Sequence, residues 1–176
     1  MNPSLIKKAQ KIQCLISDVD GVLTDARIFI DNFGNELKGF NVQDGMGLKL
    51  LLAAGIEVAV ITTSKNAVID HRMQQLGIQH YYKGHINKEK AYLELQKKLN
   101  LPHDAFAYIG DDLPDLAIIQ QVGLGVAVAN ALPLVKQSAA WHTKASGGHG
   151  AVRELCDWIL LAQNKTEAAL KAYLSA

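Results

Sequence analysis

Cysteine is nearly absent: Cys14 and Cys156 are the only two in 176 residues. Cys14 falls in a strand pattern and Cys156 in a helical one, so both read as buried thiols, which argues against a disulfide framework or a Cys-based metal site. Charge of one sign is absent too. Eighteen Lys and Arg face 17 Asp and Glu, for a net charge of +1, which offers no attraction to nucleic acid or an anionic membrane. No apolar stretch approaches the roughly 20 residues that cross a bilayer. The opening Met1-Asn2-Pro3-Ser4-Leu5-Ile6-Lys7-Lys8 has no hydrophobic signal core, so a cytoplasmic protein is expected. No repeat, low-complexity tract or linker divides the chain, and its length with 49% hydrophobic residues suits one domain, 1–176, with a sizeable core.

What the chain does have is a series of apolar runs that break into chemistry. The run Ile16-Ser17-Asp18-Val19-Asp20-Gly21 ends a strand expected from Ile12 or Gln13 to Ser17 in two carboxylates spaced i, i+2. A strand there delivers Asp18 to the carboxyl edge of a sheet, where open α/β folds place their ligands. Gly21 lets the backbone turn while both acids face one crevice, a place to hold a divalent cation and attack a phosphate. Val58-Ala59-Val60-Ile61-Thr62-Thr63-Ser64 puts Thr62 at a second strand end, where it can grip phosphate oxygens or cap the helix beginning near Asn66. Lys88 opens the amphipathic segment up to Leu99. A cation at a helix N-terminus opposes the dipole, and the position becomes sensible if an anion sits beside it, although lysines are commonly solvated surface residues. Phe106-Ala107-Tyr108-Ile109-Gly110-Asp111-Asp112-Leu113-Pro114-Asp115 repeats the first plan, and its three carboxylates need water or a metal to satisfy them.

An acidic pair, a hydroxyl, a lysine and an acidic cluster in this order resemble the haloacid dehalogenase superfamily of phosphatases over nearly the whole chain. The resemblance implies Asp18 as the nucleophile that takes the phosphoryl group and Asp20 as the acid that protonates the leaving alcohol and later activates water. It implies Thr62, Thr63 and Lys88 on the transferring phosphoryl group. Asp18, the backbone carbonyl of Asp20 and Asp111 would lie on Mg²⁺, with Asp112 and Asp115 as outer supports. The residue types suit the chemistry, because a carboxylate can approach a phosphate only after cationic donors neutralise the site. Bacterial receiver domains, which are phospho-acceptors without turnover, combine similar groups. They place the acceptor on the third strand, and here the third apolar segment ends without an Asp.

Strands are expected at Gln13–Ser17, Glu57–Ile61, Tyr81–Tyr82, Phe106–Ile109, Leu124–Val128 and Trp141–Thr143. Helices are expected at Gly47–Ala54, Ala67–Leu76, Lys88–Leu99, Leu116–Val122 and Ala151–Ala162, in a three-layer, Rossmann-like α/β fold with a mostly parallel central sheet. Arg27 to Asn41 reads as an inserted β-hairpin around Asp31-Asn32-Phe33-Gly34-Asn35. Lys88 follows Thr62 by only 26 positions, which leaves no room for a cap domain. A two-stranded ribbon is marginal alone, so hairpins from several copies are expected to assemble.

The capless layout, the hairpin, Gly34-Asn35-Glu36-Leu37-Lys38-Gly39-Phe40-Asn41-Val42-Gln43-Asp44-Gly45 and Gly147-Gly148-His149-Gly150 narrow the resemblance. They are similar to the tetrameric phosphatases acting on 3-deoxy-D-manno-octulosonate 8-phosphate, on the route to lipopolysaccharide, in which a neighbouring loop or C-terminal tail helps cover the site. Residues 164–176 form a helix-prone tail available for that role. That branch has Arg at the place of Gln43, Gly-Arg at Thr63-Ser64, Asp at Asn87 and Arg at His149. A neutral amide or imidazole holds a sugar-acid carboxylate less firmly than a guanidinium fork. Gln43, Ser64, Lys65 and His149 are therefore the candidate substrate contacts, and nine-carbon sialic-acid-type phosphates are the alternative substrates. Arg72 and Lys83 read as solvated surface charges.

Overall fold

The structure is a computed structural model describing residues 2–175; Met1 and Ala176, counted above in the domain and the tail, lie outside the described residues. Six strands, β1 (Cys14–Ser17), β4 (Glu57–Thr62), β5 (His80–Lys83), β6 (Phe106–Gly110), β7 (Leu124–Ala127) and β8 (Trp141–His142), form a parallel sheet in the order β5-β4-β1-β6-β7-β8. Leu15, Ile16, Val60, Ile61, Phe106 and Ile109 have no exposed surface, as expected of strands covered on both faces. The remaining strands, β2 (Phe29–Ile30) and β3 (Glu36–Leu37), pair antiparallel as a separate hairpin.

Eight α-helices among the described residues cover or flank the sheet: α1 (Pro3–Gln10), α2 (Val42–Ala53), α3 (Ala67–Leu76), α4 (Lys88–Leu99), α5 (Leu116–Ile119), α6 (Pro133–Ser138), α7 (Ala151–Ala162) and α8 (Thr166–Leu174). The chain runs from β1 outward through β4 to β5, then crosses back to β6 and on to β8. Right-handed crossovers therefore put α2 and α3 on one face and α4, α5 and α6 on the other. Helices α1, α7 and α8 join the α2 layer, where α7 packs along α2. The order of chain travel reverses beside β1, so the carboxyl ends of β4, β1 and β6 open one crevice. No helix among the described residues is long and apolar enough to cross a membrane.

Several limits differ from expectation. Helix α2 starts at Val42 and not Gly47, because the Asn41 side chain accepts the N–H groups of Gln43 (2.7 Å) and Asp44 (3.4 Å) and so caps it early. Helix α5 stops at Ile119. Helices α1 and α6 are additions, each with proline in its first turn, where the missing N–H costs nothing. The tail forms α8, but α8 packs on α2 and α7 of its own chain with Ala169 buried. Lys165, just before it, shares a cavity of about 630 Å³ with Gln13 and Ile56 at the amino ends of β1 and β4. That is the end of the sheet away from Asp18.

Candidate active site

Asp18 leaves β1 with its N–H donating to the Ile109 carbonyl of β6 at 3.1 Å, and it is 6% exposed. Lys88, the first residue of α4, is also buried and places Nζ 2.8 Å from Asp18 Oδ1 and 2.7 Å from Asp115 Oδ1. The anions that make a lysine tolerable at a helix start are these two carboxylates. Asp115 is completely buried. It accepts the Tyr108 hydroxyl (2.6 Å) on Oδ1 and the N–H groups of Asp111 (2.9 Å) and Asp112 (3.1 Å) on Oδ2, so its charge is fully partnered. A side chain on Gly110 would stand 2.5 Å from Asp115 Oδ2, and this accounts for the glycine between strand and acids.

Asp111 contrasts with Asp115. Its Oδ1 is buried and has no hydrogen-bond partner among the described residues. Asp18, Asp111 and Asp115 each bring a carboxylate oxygen within 4.8 Å of the others. Burial pushes Asp18 up to about 7, with the Asp115 charge adding to the rise and Lys88 opposing it. Burial likewise pushes Asp111 up to about 7, helped by the charges of Asp18 and Asp115. Burial works against the Lys88 ammonium, and Asp18 and Asp115 outweigh it, so its pKa is raised. Three clustered carboxylates share the single charge of Lys88, and the orphaned Asp111 oxygen beside buried Asp18 leaves a hard-oxygen donor set with excess negative charge, which fits Mg²⁺.

Asp20 sits two residues on, its side chain 38% exposed, with Oδ1 accepting Lys38 Nζ at 2.6 Å. Gly21 adopts φ +89°, and a Cβ there would lie 2.1 Å from Asp111 Oδ2, so the turn reaches the acidic cluster only as glycine. Thr62 closes β4, nearly fully buried, with Oγ1 accepting the Ser64 N–H at 3.1 Å; the adjoining Thr63 is exposed. The cap of α3 is Asn66, whose side chain accepts the Val68 N–H at 2.9 Å, so Thr62 is not the helix cap.

The glycine loop completes the rim. A Cβ on Gly147 would be 1.7 Å from the Gly21 carbonyl oxygen, and the Gly148 N–H donates to the Val22 carbonyl at 2.9 Å. His149 is exposed and lines a cavity of about 420 Å³ with Phe29, Phe40 and Asn41 of the hairpin region. Gln43 Oε1 would stand 4.0 Å from a Cβ on Gly150, so Gln43 reaches the same loop. Ser64 is half-buried beside Thr62, and Lys65 lays its exposed side chain over Gly84. Asp112 is exposed and caps Leu113 at 2.7 Å, apart from the buried cluster that holds Asp115. Lys83 pairs with Asp70. Arg72 is not a free surface charge: it is half-buried, stacks over the Phe40 ring at 5.7 Å and donates to the Asn41 carbonyl at 3.4 Å.

Four side chains around the site escape a reading of the sequence. Tyr108 had a signal, since a hydroxyl in a central strand needs a buried partner. Asp44, fully buried, accepts the N–H groups of Gly150 (3.3 Å) and Arg153 (2.8 Å), capping α7 from another helix. Its partners are more than 100 residues away, and nothing local announces them. Lys38 and its second partner Glu36, at 2.7 Å, look like ordinary hairpin charges.

A model of haloacid dehalogenase-like hydrolases matches residues 61–155. The 3-deoxy-D-manno-octulosonate 8-phosphate phosphatase KdsC of Salmonella typhimurium is 47% identical over 169 residues, covering 96% of this chain and 90% of the relative. The chain belongs to the haloacid dehalogenase-like hydrolases. A solved hydrolase of this superfamily from Legionella pneumophila is 66% identical with a TM-score of 0.98, covering 98% of this chain and 95% of that one. The 3-deoxy-D-manno-octulosonate 8-phosphate phosphatase of Moraxella catarrhalis, solved with magnesium, phosphate and the sugar acid, is 40% identical with a TM-score of 0.94, covering 98% and 99%. With phosphatase relatives at 47% identity over most of the chain, this hydrolase is a phosphomonoesterase, not a receiver-like phospho-acceptor.

Proposed function

We propose that this hydrolase releases phosphate from 3-deoxy-D-manno-octulosonate 8-phosphate. The observation that carries the reading is the buried Asp18–Lys88–Asp115 ion triad beside the unpartnered Asp111 oxygen, in a chain 47% identical to an enzyme named for that substrate. Asp18 attacks phosphorus, forming an Oδ–P bond while the ester P–O bond breaks, and Asp20 gives its proton to the departing sugar oxygen. Asp20 then takes a proton from water, whose oxygen displaces Asp18 from phosphorus and frees inorganic phosphate. Thr62, Thr63 and Lys88 hold the phosphoryl oxygens, and Asp115 fixes Lys88. Mg²⁺, held by Asp18, Asp111 and the Asp20 carbonyl, supplies the charge neutralisation that lets a carboxylate approach a phosphate; Asp112 and Asp115 support the loop behind it. Gln43, Ser64, Lys65 and His149 face the sugar acid.

The same reading makes the protein a cytoplasmic homo-oligomer of the lipopolysaccharide route, most simply a tetramer joined through its hairpins. Its support is the hairpin surface: Ile28, Phe29, Ile30, Phe33 and Leu37, on or beside strands of two residues each, are 53–90% exposed. Buried reduced thiols at Cys14 and Cys156 suit the cytoplasm. The deciding measurement is Mg²⁺-dependent phosphate release across a panel of octulosonate, nine-carbon sialic-acid-type and neutral hexose phosphates. The highest kcat/KM is expected for the octulosonate; preference for another sugar, or flat slow turnover, overturns the substrate assignment.

A further inference from the structure

We infer that Lys38 of the hairpin is a positioning residue for Asp20, so that the insertion reaches into its own subunit's reaction centre as well as outward. The inference rests on the phosphatase reading above. Lys38 leaves the end of the hairpin with its side chain 2% exposed and Nζ 2.6 Å from Asp20 Oδ1 and 2.7 Å from Glu36 Oε1. An ammonium is hidden this completely only where fixed anions hold it. Among the described residues this is the only hydrogen bond to the Asp20 carboxylate, and it occupies one oxygen. The other accepts no hydrogen bond from the described residues, on a side chain that is 38% exposed. Asp20 lies in the turn after β1 and precedes Gly21 at φ +89°. Without Lys38, no hydrogen bond from the described residues would fix the rotation of its side chain.

The geometry therefore locks one carboxyl oxygen so that the second meets the leaving group. Glu36 pairs across the hairpin with Ile30, which ties the ammonium to the ribbon's register. Proton donation gains only when donor and leaving oxygen are within hydrogen-bond reach, and a lock on the donor acts at that step.

The test uses the full chain and two esters, the sugar-acid phosphate and p-nitrophenyl phosphate, whose phenolate leaves without needing a proton. The readout is kcat/KM, which reports steps only through alcohol release. Lys38→Met is expected to lower kcat/KM on the sugar phosphate by about 10–100-fold, with KM little changed, and on the aryl ester by less than about threefold. Lys38→Arg, which keeps a cation between the two acids, should recover most of the loss, and Glu36→Gln should show the same pattern more weakly. Should Lys38→Met fail to fold in a thermal melt, those two variants carry the comparison. Equal losses on both esters in folded protein, or no loss on either, overturn the inference. Wild-type protein that releases phosphate from neither ester in an Asp18-dependent way overturns the phosphatase reading itself.

Discussion

At the scale of single residues the site is a balance between burial and charge. Asp18 and Asp111 both lie near 7, well above about 3.9 for an aspartate in an unfolded chain. A raised acid keeps its proton in the native state where the unfolded chain has lost it. These groups therefore favour folding most below about pH 4, and their contribution falls as pH climbs from about 4 toward about 7. Mg²⁺ accepts only the deprotonated carboxylates, so below 7 its binding must expel protons. The rise in Tm on adding saturating Mg²⁺ is expected to be small near pH 5.5 and several-fold larger near pH 8, read by thermal unfolding in matched buffers; an increment flat across that range would refute the assignment of these acids to the metal. Lys88 gives a second prediction. Lys88→Met strips the cation from two buried carboxylates and should cost about 3–5 kcal/mol near pH 8 by urea unfolding. The cost should shrink at pH 5.5, where Asp18 can protonate. An unchanged midpoint would mean that the triad contributes nothing net.

At the scale of elements, loops meet because their residues have no side chains to keep them apart. The Gly147 α-carbon faces the Gly21 carbonyl so closely that a methyl group would sit 1.7 Å from its oxygen. Gly147→Ala must move one loop off the other, at about 1–3 kcal/mol of overpacking strain, and it should lower kcat/KM by displacing the turn that carries Asp20. Gly55→Ala is the control, because its Cβ would meet nothing within 4 Å although its φ of +73° strains any side chain; it should lose stability with kcat/KM unchanged. If both variants lose activity alike, the contact between the loops is not what matters.

The same scale explains what the sequence discloses. Each site-bearing strand is a short buried run ending in polar chemistry, so β1, β4 and β6 are legible together with Asp18, Thr62 and Asp111. Helices α3 and α4 are legible because Asn66 and Asn87 cap their starts and Gly77 and Asn100 turn left-handed at their ends. Helix α6 has one buried residue, Val135, and no periodic face to read. The contacts of Lys38, Asp44 and Gly147 join segments 18 to 126 positions apart. They exist only once the sheet has brought those segments together.

At the scale of the whole molecule, the hairpin is the element least able to account for itself inside one chain. Its strands pair through two residues each, and an isolated ribbon that short has no independent stability. Its apolar side chains do not fold back: Ile30 is 69% and Phe33 90% exposed, while Lys38 anchors only its base. The outer strand edges leave backbone groups that another ribbon could pair. Copies that join hairpins would close those edges, bury Ile28, Ile30 and Phe33, and wall off a site that this fold leaves without a cap. Ile28→Lys combined with Phe33→Ser leaves untouched both the β1, β4 and β6 crevice and the Ile30–Glu36 pair that holds Lys38, so an effect on rate comes through assembly. Wild-type protein should sediment as a multiple of the single chain, and the double variant as the single chain with reduced kcat/KM and nearly unchanged secondary structure by circular dichroism. A wild type that stays monomeric at micromolar concentration would sink the hairpin assembly, and an active monomeric double variant would show that assembly is not needed to cover the site.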